Sequence, residues 1–408
     1  MSRDFSGSGF PESLISPPAG MILGGIVKKA LIPDVLFSPT MGEIRDTALL
    51  VDNGKIAGTV NRNQVPDEWA TVEMEGVLTP GLVESHCHVG VHIIGQTGQV
   101  DCNEMVEPVT PHVRAYDGVD PRDPGFEMAL AGGVTSVHIL PGSANVFGGV
   151  GTLLATSGQN LHNMTIIENI GLKGAFGENP KGCYGSKGGP STRMGVAALF
   201  RLWMTRARHY VLKREKALAS DDLFEPDLRL EALAELLDGS QVLRAHCHRA
   251  DDICTCIRLC QEFEIKFRLE HGTQAMDVLE PIISSGAMIA YGPALSPPKK
   301  YENSGRCLRK AAFLLDSGVP LALSTDHPVT SIDTLQVMAG MLLRYGVRRE
   351  MALASITSNA ARVIGAEDLI GDLREGMRAD LVLWRGDPLD PRVPPARVYV
   401  GGCQVLGG

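Results

Sequence analysis

The sequence predicts an α/β protein: a (β/α)8 TIM-like barrel with a small β-sandwich domain formed from both chain ends. Three observations lead there. The middle of the 408-residue chain alternates eight short apolar runs with helical stretches: "GLVESHCH", "GVTSVHIL", "GTLLATS", "IGLKGAFGE", "VLRAHCH", "IKFRLEHG", "AMIAYGP" and "PLALSTDH". Ionisable residues gather at the C-terminal ends of these runs, the face where the βα loops of a barrel converge. Both termini carry β-type runs that the middle lacks. A doubly wound open sheet gives a similar alternation and stays open as the alternative on pattern alone.

Taken in order, residues 1–20 are rich in Ser, Pro and Gly without periodicity, which predicts an arm packed on the surface or against a partner subunit. Residues 21–78 show short β runs and a hairpin signal in "ALLVDNGKIAGTV", where Asn53-Gly54 supplies the positive φ angles of a tight turn. Residues 377–408 are similar, with "ADLVLWRGD" and "ARVYVGGCQVLG" as strands, so one β domain built from both ends is the economical arrangement. Residues 79–376 are the barrel. The helix "RLWMTRARHYVLKREK" has cations on several faces and reads as solvated.

Composition narrows the class. The chain is 44% hydrophobic and 21% charged with a formal net charge of −9, and it has no single-sign block of the kind that marks nucleic-acid binding. No run of eighteen apolar residues and no export signal are visible. The expectation is a cytoplasmic protein that acts on a small molecule, binds neither nucleic acid nor membrane, and forms a homo-oligomer through its N-terminal arm. The odd count of nine cysteines fits reduced thiols. In "ADDICTCIRLCQEFE", Cys256 and Cys260 share a helix face while Cys254 does not, and no CxxC pair completes a zinc site.

The chemistry starts at "VESHCHVG". Alternation along a strand sends His86 and His88 to one face and Cys87 to the other. A lone His-x-His proves little. Three more candidates end separate strands, however: His246 in "VLRAH", His271 in "RLEH" and Asp326 in "LALSTD". Imidazole and carboxylate together suit zinc and other first-row divalent ions.

Read along its length, the chain resembles the metal-dependent amidohydrolase superfamily, in particular its imidazolonepropionase-like branch, over residues 22–400. "LTPGLVESHCHVG" is similar to the first-strand motif of that superfamily. "DCNEMVEPVTPHVRAYDG", "PGSANVFGG", "GAFGENPKGCYG" with "STRMG", "HCHRADDI", "EHG", "STDHPV" and "ITSNAARVIG" followed by "GMRADLVLW" are similar to successive signatures of the branch. The resemblance implies that His86 and His88 hold one metal, that His246 and His271 hold a second, and that Asp326 binds the first. It also implies a bridging group, for which Glu178 is preferred and Lys173, as a carbamate, is the alternative; an ammonium has no lone pair for a metal. His248, two residues after His246, is a substrate contact, an aid to catalysis or another ligand, and Arg193 and Tyr184 are candidates to hold a substrate carboxylate or carbonyl. Two departures stand out. Glu84 replaces an aspartate before the His-x-His, and no lysine occurs near Ala155, which puts a common substrate in doubt.

The implied cofactor is a divalent transition metal, zinc foremost, one or two per subunit. The implied reaction is hydrolysis of a C–N bond in a small amide, cyclic amide or dipeptide-like compound, with Asp326 as the proton carrier. Deamination, lactone hydrolysis, cyclisation or decarboxylation on the same site is the alternative. A noncatalytic relative, marked by loss of ligands, is the other.

Overall fold

The computed structural model describes residues 28–96 and 100–407; the N-terminal arm expected over 1–20 lies outside them. Both ends of the chain build one eight-stranded sheet. Strand Lys29–Ser38 pairs in parallel with Ala70–Pro80, which pairs on its other edge, antiparallel, with Leu381–Trp384. The C-terminal strands Pro395–Val400 and Cys403–Leu406 extend that edge. At the hairpin between Thr47–Asp52 and Lys55–Asn61, Asn53 and Gly54 have φ of 49° and 75°, the left-handed pair a tight two-residue turn needs. A Cβ on Gly54 would lie 2.7 Å from the Gly401 carbonyl oxygen, so the two ends of the chain meet turn against turn.

The middle of the chain forms two further sheets whose strands are largely parallel. Leu82–Cys87 and Val134–Ile139 pair in parallel. So do Leu172–Ala175, Leu243–Cys247, Phe267–His271, Ile289–Tyr291 and Leu321–Leu323, each with the next. Seven of the eight expected runs are therefore parallel, and "GTLLATS" is not: Thr152–Ala155 runs antiparallel to Val134–Ile139. Residues 140–146 contain no helix, and a parallel crossover needs one or an equivalent length. The chain instead lays Phe147–Val150 antiparallel to Leu172–Ala175, bends at Gly151 and passes into the other sheet.

At their far edges the two sheets meet at the start of the site. Ser85 Oγ donates to the Leu323 carbonyl (3.1 Å), Ser324 Oγ donates to the His86 carbonyl (2.8 Å), and the His88 N–H donates to the His327 carbonyl (2.9 Å). Helices cover the strands. The longest, Arg193–Ser220, pairs Arg201 with Glu262 and Arg214 with Glu231. In helix Ala250–Phe263, Cys256 and Cys260 are buried with their sulfurs 4.0 Å apart, and all nine cysteines are free. Among the described residues, no helix is long and apolar enough to cross a membrane.

Candidate metal centre

All six residues of strand Leu82–Cys87 are buried, and its end delivers His86 and His88 to one side. Their rings are 5.3 Å apart, centroid to centroid. Cys87 points elsewhere, its sulfur 3.6 Å from the His138 carbonyl, and burial pushes its thiol well up, which removes it as a redox group. Asp326 Oδ1 lies 3.3 Å from His88 Nε2 and 3.5 Å from His86 Nε2. Beside this trio stands a second: His246, His248 and His271, with ring centroids 4.6–4.8 Å apart. His86 and His271, 5.0 Å apart, join the two groups.

The tautomers follow from the outer partners. Nδ1 of His88 lies 2.8 Å from the Leu140 carbonyl and that of His271 2.8 Å from the Gly292 carbonyl. A carbonyl only accepts, so in both rings Nδ1 carries the proton and Nε2 turns a lone pair inward. His86 Nδ1 likewise meets Glu270 Oε2 at 2.6 Å, and His248 Nδ1 meets Thr273 Oγ1 at 2.8 Å. Burial is the first cause that lowers His86, His246 and His248 well below the ordinary imidazole pKa and lowers His271 also, so all four are neutral.

Three acceptor atoms of His86, His88 and Asp326 therefore converge where lone pairs would repel, an arrangement that a cation relieves. His246 adds a second sign: its Nδ1 is buried and has no hydrogen-bond partner. The donor set suits a divalent metal. His86, His88 and Asp326 would form one ligand group, and His246, His248 and His271 the other.

Backbone geometry supports the same reading. His271 and Asp326 have φ of 71° and 53°, a left-handed conformation that costs energy for side chains other than glycine and gathers at functional sites. For Asp326, burial pushes the carboxyl pKa up, but the imidazoles around it, His88 foremost, with His271 and His86, outweigh burial and hold the group below the usual carboxylate range.

Lys173 belongs to this cluster. It is 1% exposed, its Nζ lies 3.2 Å from His86 Nε2, and burial lowers its ammonium to about 8. Glu178 is in neither group of converging ligand atoms. Gly177, at φ 85°, turns the chain into helix Glu178–Tyr184, and a Cβ there would meet Glu302 Oε2 at 2.7 Å and Asp252 Oδ2 at 2.9 Å. Glu178 thus sits half-buried on the first helical turn, its N–H donating to Glu302 Oε2 at 2.9 Å.

Arg193 and Tyr184 have partners of their own. Arg193 Nε lies 3.0 Å from both Asp252 oxygens, and the Tyr184 hydroxyl sits 2.6 Å from Asn145 Oδ1 and 2.9 Å from the Glu107 carbonyl. The Tyr184 hydroxyl and Arg193 Nε are thus engaged within the protein, while Arg193 Nη2 is buried without a hydrogen-bond partner. His248 is placed with His246 and His271, as a ligand position.

Two residues escaped the sequence reading. Glu270 receives Arg244 Nε on Oε1 at 2.5 Å while Oε2 holds His86, and both side chains are fully buried. Arg244 further donates to the carbonyls of Val363 (2.9 Å) and Ser85 (3.3 Å). A signal existed: Arg244 is two residues before His246 and so shares its face, and Glu270 is the registered neighbour of His246. Glu84, the departure from the family pattern, is accommodated. Its carboxylate accepts from the N–H of His86 (3.0 Å) and from the N–H (2.9 Å) and Oγ1 (2.6 Å) of Thr325, tying the two ligand-bearing segments together.

Two tests follow from this shell. Glu270→Gln keeps the shape but weakens the hold on the His86 Nδ1 proton, and should weaken metal affinity about 10- to 100-fold by competition with a chelator. Arg244→Met strands the Glu270 carboxylate in the interior and should cost about 3–5 kcal/mol in denaturant unfolding. A change below about 1 kcal/mol would mean that Glu270 is neutral.

Comparison with known proteins identifies the family. Residues 272–406 match the model of the Amidohydrolase family. The crystal structure of an amidohydrolase from Thermotoga maritima MSB8 is 38% identical, with a TM-score of 0.89, and the match covers 93% of this chain and all of that one. The chain belongs to the amidohydrolase superfamily. Within the superfamily it falls in the imidazolonepropionase-like branch: the imidazolonepropionase of Cupriavidus taiwanensis is 28% identical, with 92% of each chain covered. Amidohydrolase tasK of Hapsidospora irregularis is 32% identical over 87% of this chain, which spans only 39% of tasK. The amidohydrolase is thus a hydrolase with a TIM-barrel-like fold.

Proposed function

We propose that this amidohydrolase cleaves a C–N bond in a small amide, cyclic amide or dipeptide-like molecule, using water activated at the centre of five imidazoles, Asp326 and Lys173. We read residues 79–376 as a TIM-like barrel, departing from (β/α)8 at the antiparallel Thr152–Ala155, that carries this centre at its mouth, and residues 21–78 with 377–408 as a small β-sandwich. The observation that carries the functional reading is the convergence of unprotonated imidazole nitrogens and the Asp326 carboxylate in one buried space.

His86, His88 and Asp326 would hold one divalent ion, and His246, His248 and His271 a second, with Lys173 between them as a carbamate in preference to Glu178. A divalent ion held there lowers the pKa of water toward about 7 and polarises the scissile carbonyl. Asp326 stays ionised beside His88 and so can take the proton of the attacking water and deliver it to the leaving nitrogen. Glu270 and the carbonyls of Leu140 and Gly292 hold the rings of His86, His88 and His271 in the tautomer that faces inward.

Metal analysis with a substrate screen tests the reading. Protein supplemented with zinc should hold one to two equivalents and hydrolyse members of a panel of cyclic amides, N-acyl amino acids and dipeptides, and His86→Ala should lose both properties. Substoichiometric metal in the parent, with His86→Ala indistinguishable from it, would sink the proposal. On the preferred bridge, Glu178→Gln should change kcat/KM by less than about 5-fold, because Glu178 is in neither group of converging ligand atoms.

A further inference from the structure

We propose that the mouth of the metal centre contains an anion subsite centred on Arg306, and that the substrate carries a carboxylate seated there; this rests on the hydrolytic reading above. The chain as a whole is acidic, at −9. The loop 292–307 that follows strand Ile289–Tyr291 is not, for it brings Lys299, Lys300 and Arg306 together with a single acid, Glu302. Glu302 is spoken for by Lys300, 2.9 Å away. Arg306 and Lys299 have no ion-pair partner among the described residues.

Arg306 is the member placed to hold a ligand. It is half-buried, and only its Nη2 is engaged, by the carbonyl (3.3 Å) and Oγ (3.0 Å) of Ser296. Both partners are neutral, which leaves the charge of a partly desolvated guanidinium uncompensated and its other donors available to an anion.

Its anchorage points to the site. The next residue, Cys307, clasps the Tyr291 hydroxyl, with its carbonyl at 2.9 Å and its N–H at 3.3 Å. Tyr291 directly precedes Gly292, whose carbonyl holds His271 Nδ1.

The rest of the loop reinforces the field. Glu302 Oε1, held by Lys300 at 2.9 Å, lies 3.8 Å from His246 Nε2, so the loop borders the imidazoles. Cations gathered around a cleft raise the local concentration of an anionic substrate. The other arginines near the mouth have their charge offset by a paired carboxylate, Arg193 by Asp252 and Arg249 by Asp251. A planar fork with free donors matches a carboxylate, and the fixed separation between it and the imidazoles would select which amide of the substrate is presented for cleavage.

The test uses N-acetyl amino acids and their primary amides, which differ only in the carboxylate, titrated by calorimetry into the metal-loaded full chain. The parent should bind carboxylates at least about 10-fold tighter than the matching amides. Arg306→Gln should lose that preference with its metal content unchanged, and where a pair is turned over the loss should fall on KM while kcat stays within about 3-fold. Arg306→Lys, which keeps the charge without the fork, should weaken carboxylate binding severalfold and decides the matter if the glutamine variant does not fold. A parent with no preference, or a preference that survives in Arg306→Gln or is undiminished in Arg306→Lys, overturns the subsite. Carboxylate preference without turnover of any compound would support the subsite and count against only the hydrolytic reading.

Discussion

Lys173→Arg is expected to lower kcat/KM about 10³-fold, the scale on which a metal site that has lost a bridging ligand fails. Lys173 is buried on strand Leu172–Ala175 with Nζ 3.2 Å from His86 Nε2. An ammonium offers no lone pair, whereas a carbamate offers two oxygens between the two imidazole groups. Burial brings the amine to about 8, so the neutral form that reacts with carbon dioxide is accessible near neutral pH. Arginine keeps the charge and the length but cannot form the carbamate. Lys173→Ala should be equally inactive and should recover part of its activity with added acetate or propionate, which can place a carboxylate in the space left. Protein prepared in 13C-labelled bicarbonate should show a carbamate carbon resonance that is absent from Lys173→Arg. Full activity in Lys173→Arg, with Glu178→Gln inactive, would return the bridge to Glu178.

Asp326→Asn is expected to reduce kcat by about 10²- to 10⁴-fold, the usual worth of a positioned proton carrier. Asparagine is the informative replacement because it tolerates the left-handed backbone at φ 53° nearly as well as aspartate. A loss of activity in this variant then reports on the carboxylate and not on the fold. The pH profile carries the second reading. The Asp326 carboxyl is held below the usual carboxylate range, so its ionised form is the one present at neutral pH and is lost only on strong acidification. The acid limb of kcat/KM assigned to Asp326 should therefore lie below about pH 4, and an inflection between pH 5 and 7 that disappears in Asp326→Asn would contradict the assignment.

By itself the sequence determined what alternation and turn chemistry determine. Period two placed His86 and His88 on one face with Cys87 opposite, and Asn53-Gly54 marked the hairpin because few residue pairs accept two positive φ angles. His246, His271 and Asp326 were legible as strand ends. Period, however, reports a face and says nothing about distance.

Tertiary structure decided the rest. Lys173 and Glu178 are five positions apart, and the turn at Gly177 separates them, leaving one beside His86 and the other on a helix. Glu270 and His271 are adjacent, so alternation would oppose them, yet the left-handed backbone at His271 lets both serve the same centre. Arg193 and Tyr184 read alike in the sequence, and only the fold brings Asp252 to the Arg193 Nε and Asn145 to the Tyr184 hydroxyl. The antiparallel course of Thr152–Ala155 came from the missing helix in 140–146, a feature of chain length and not of strand pattern. In each case the outcome was set by a partner distant in sequence or by a local reversal of the backbone, and hydrophobic periodicity encodes neither.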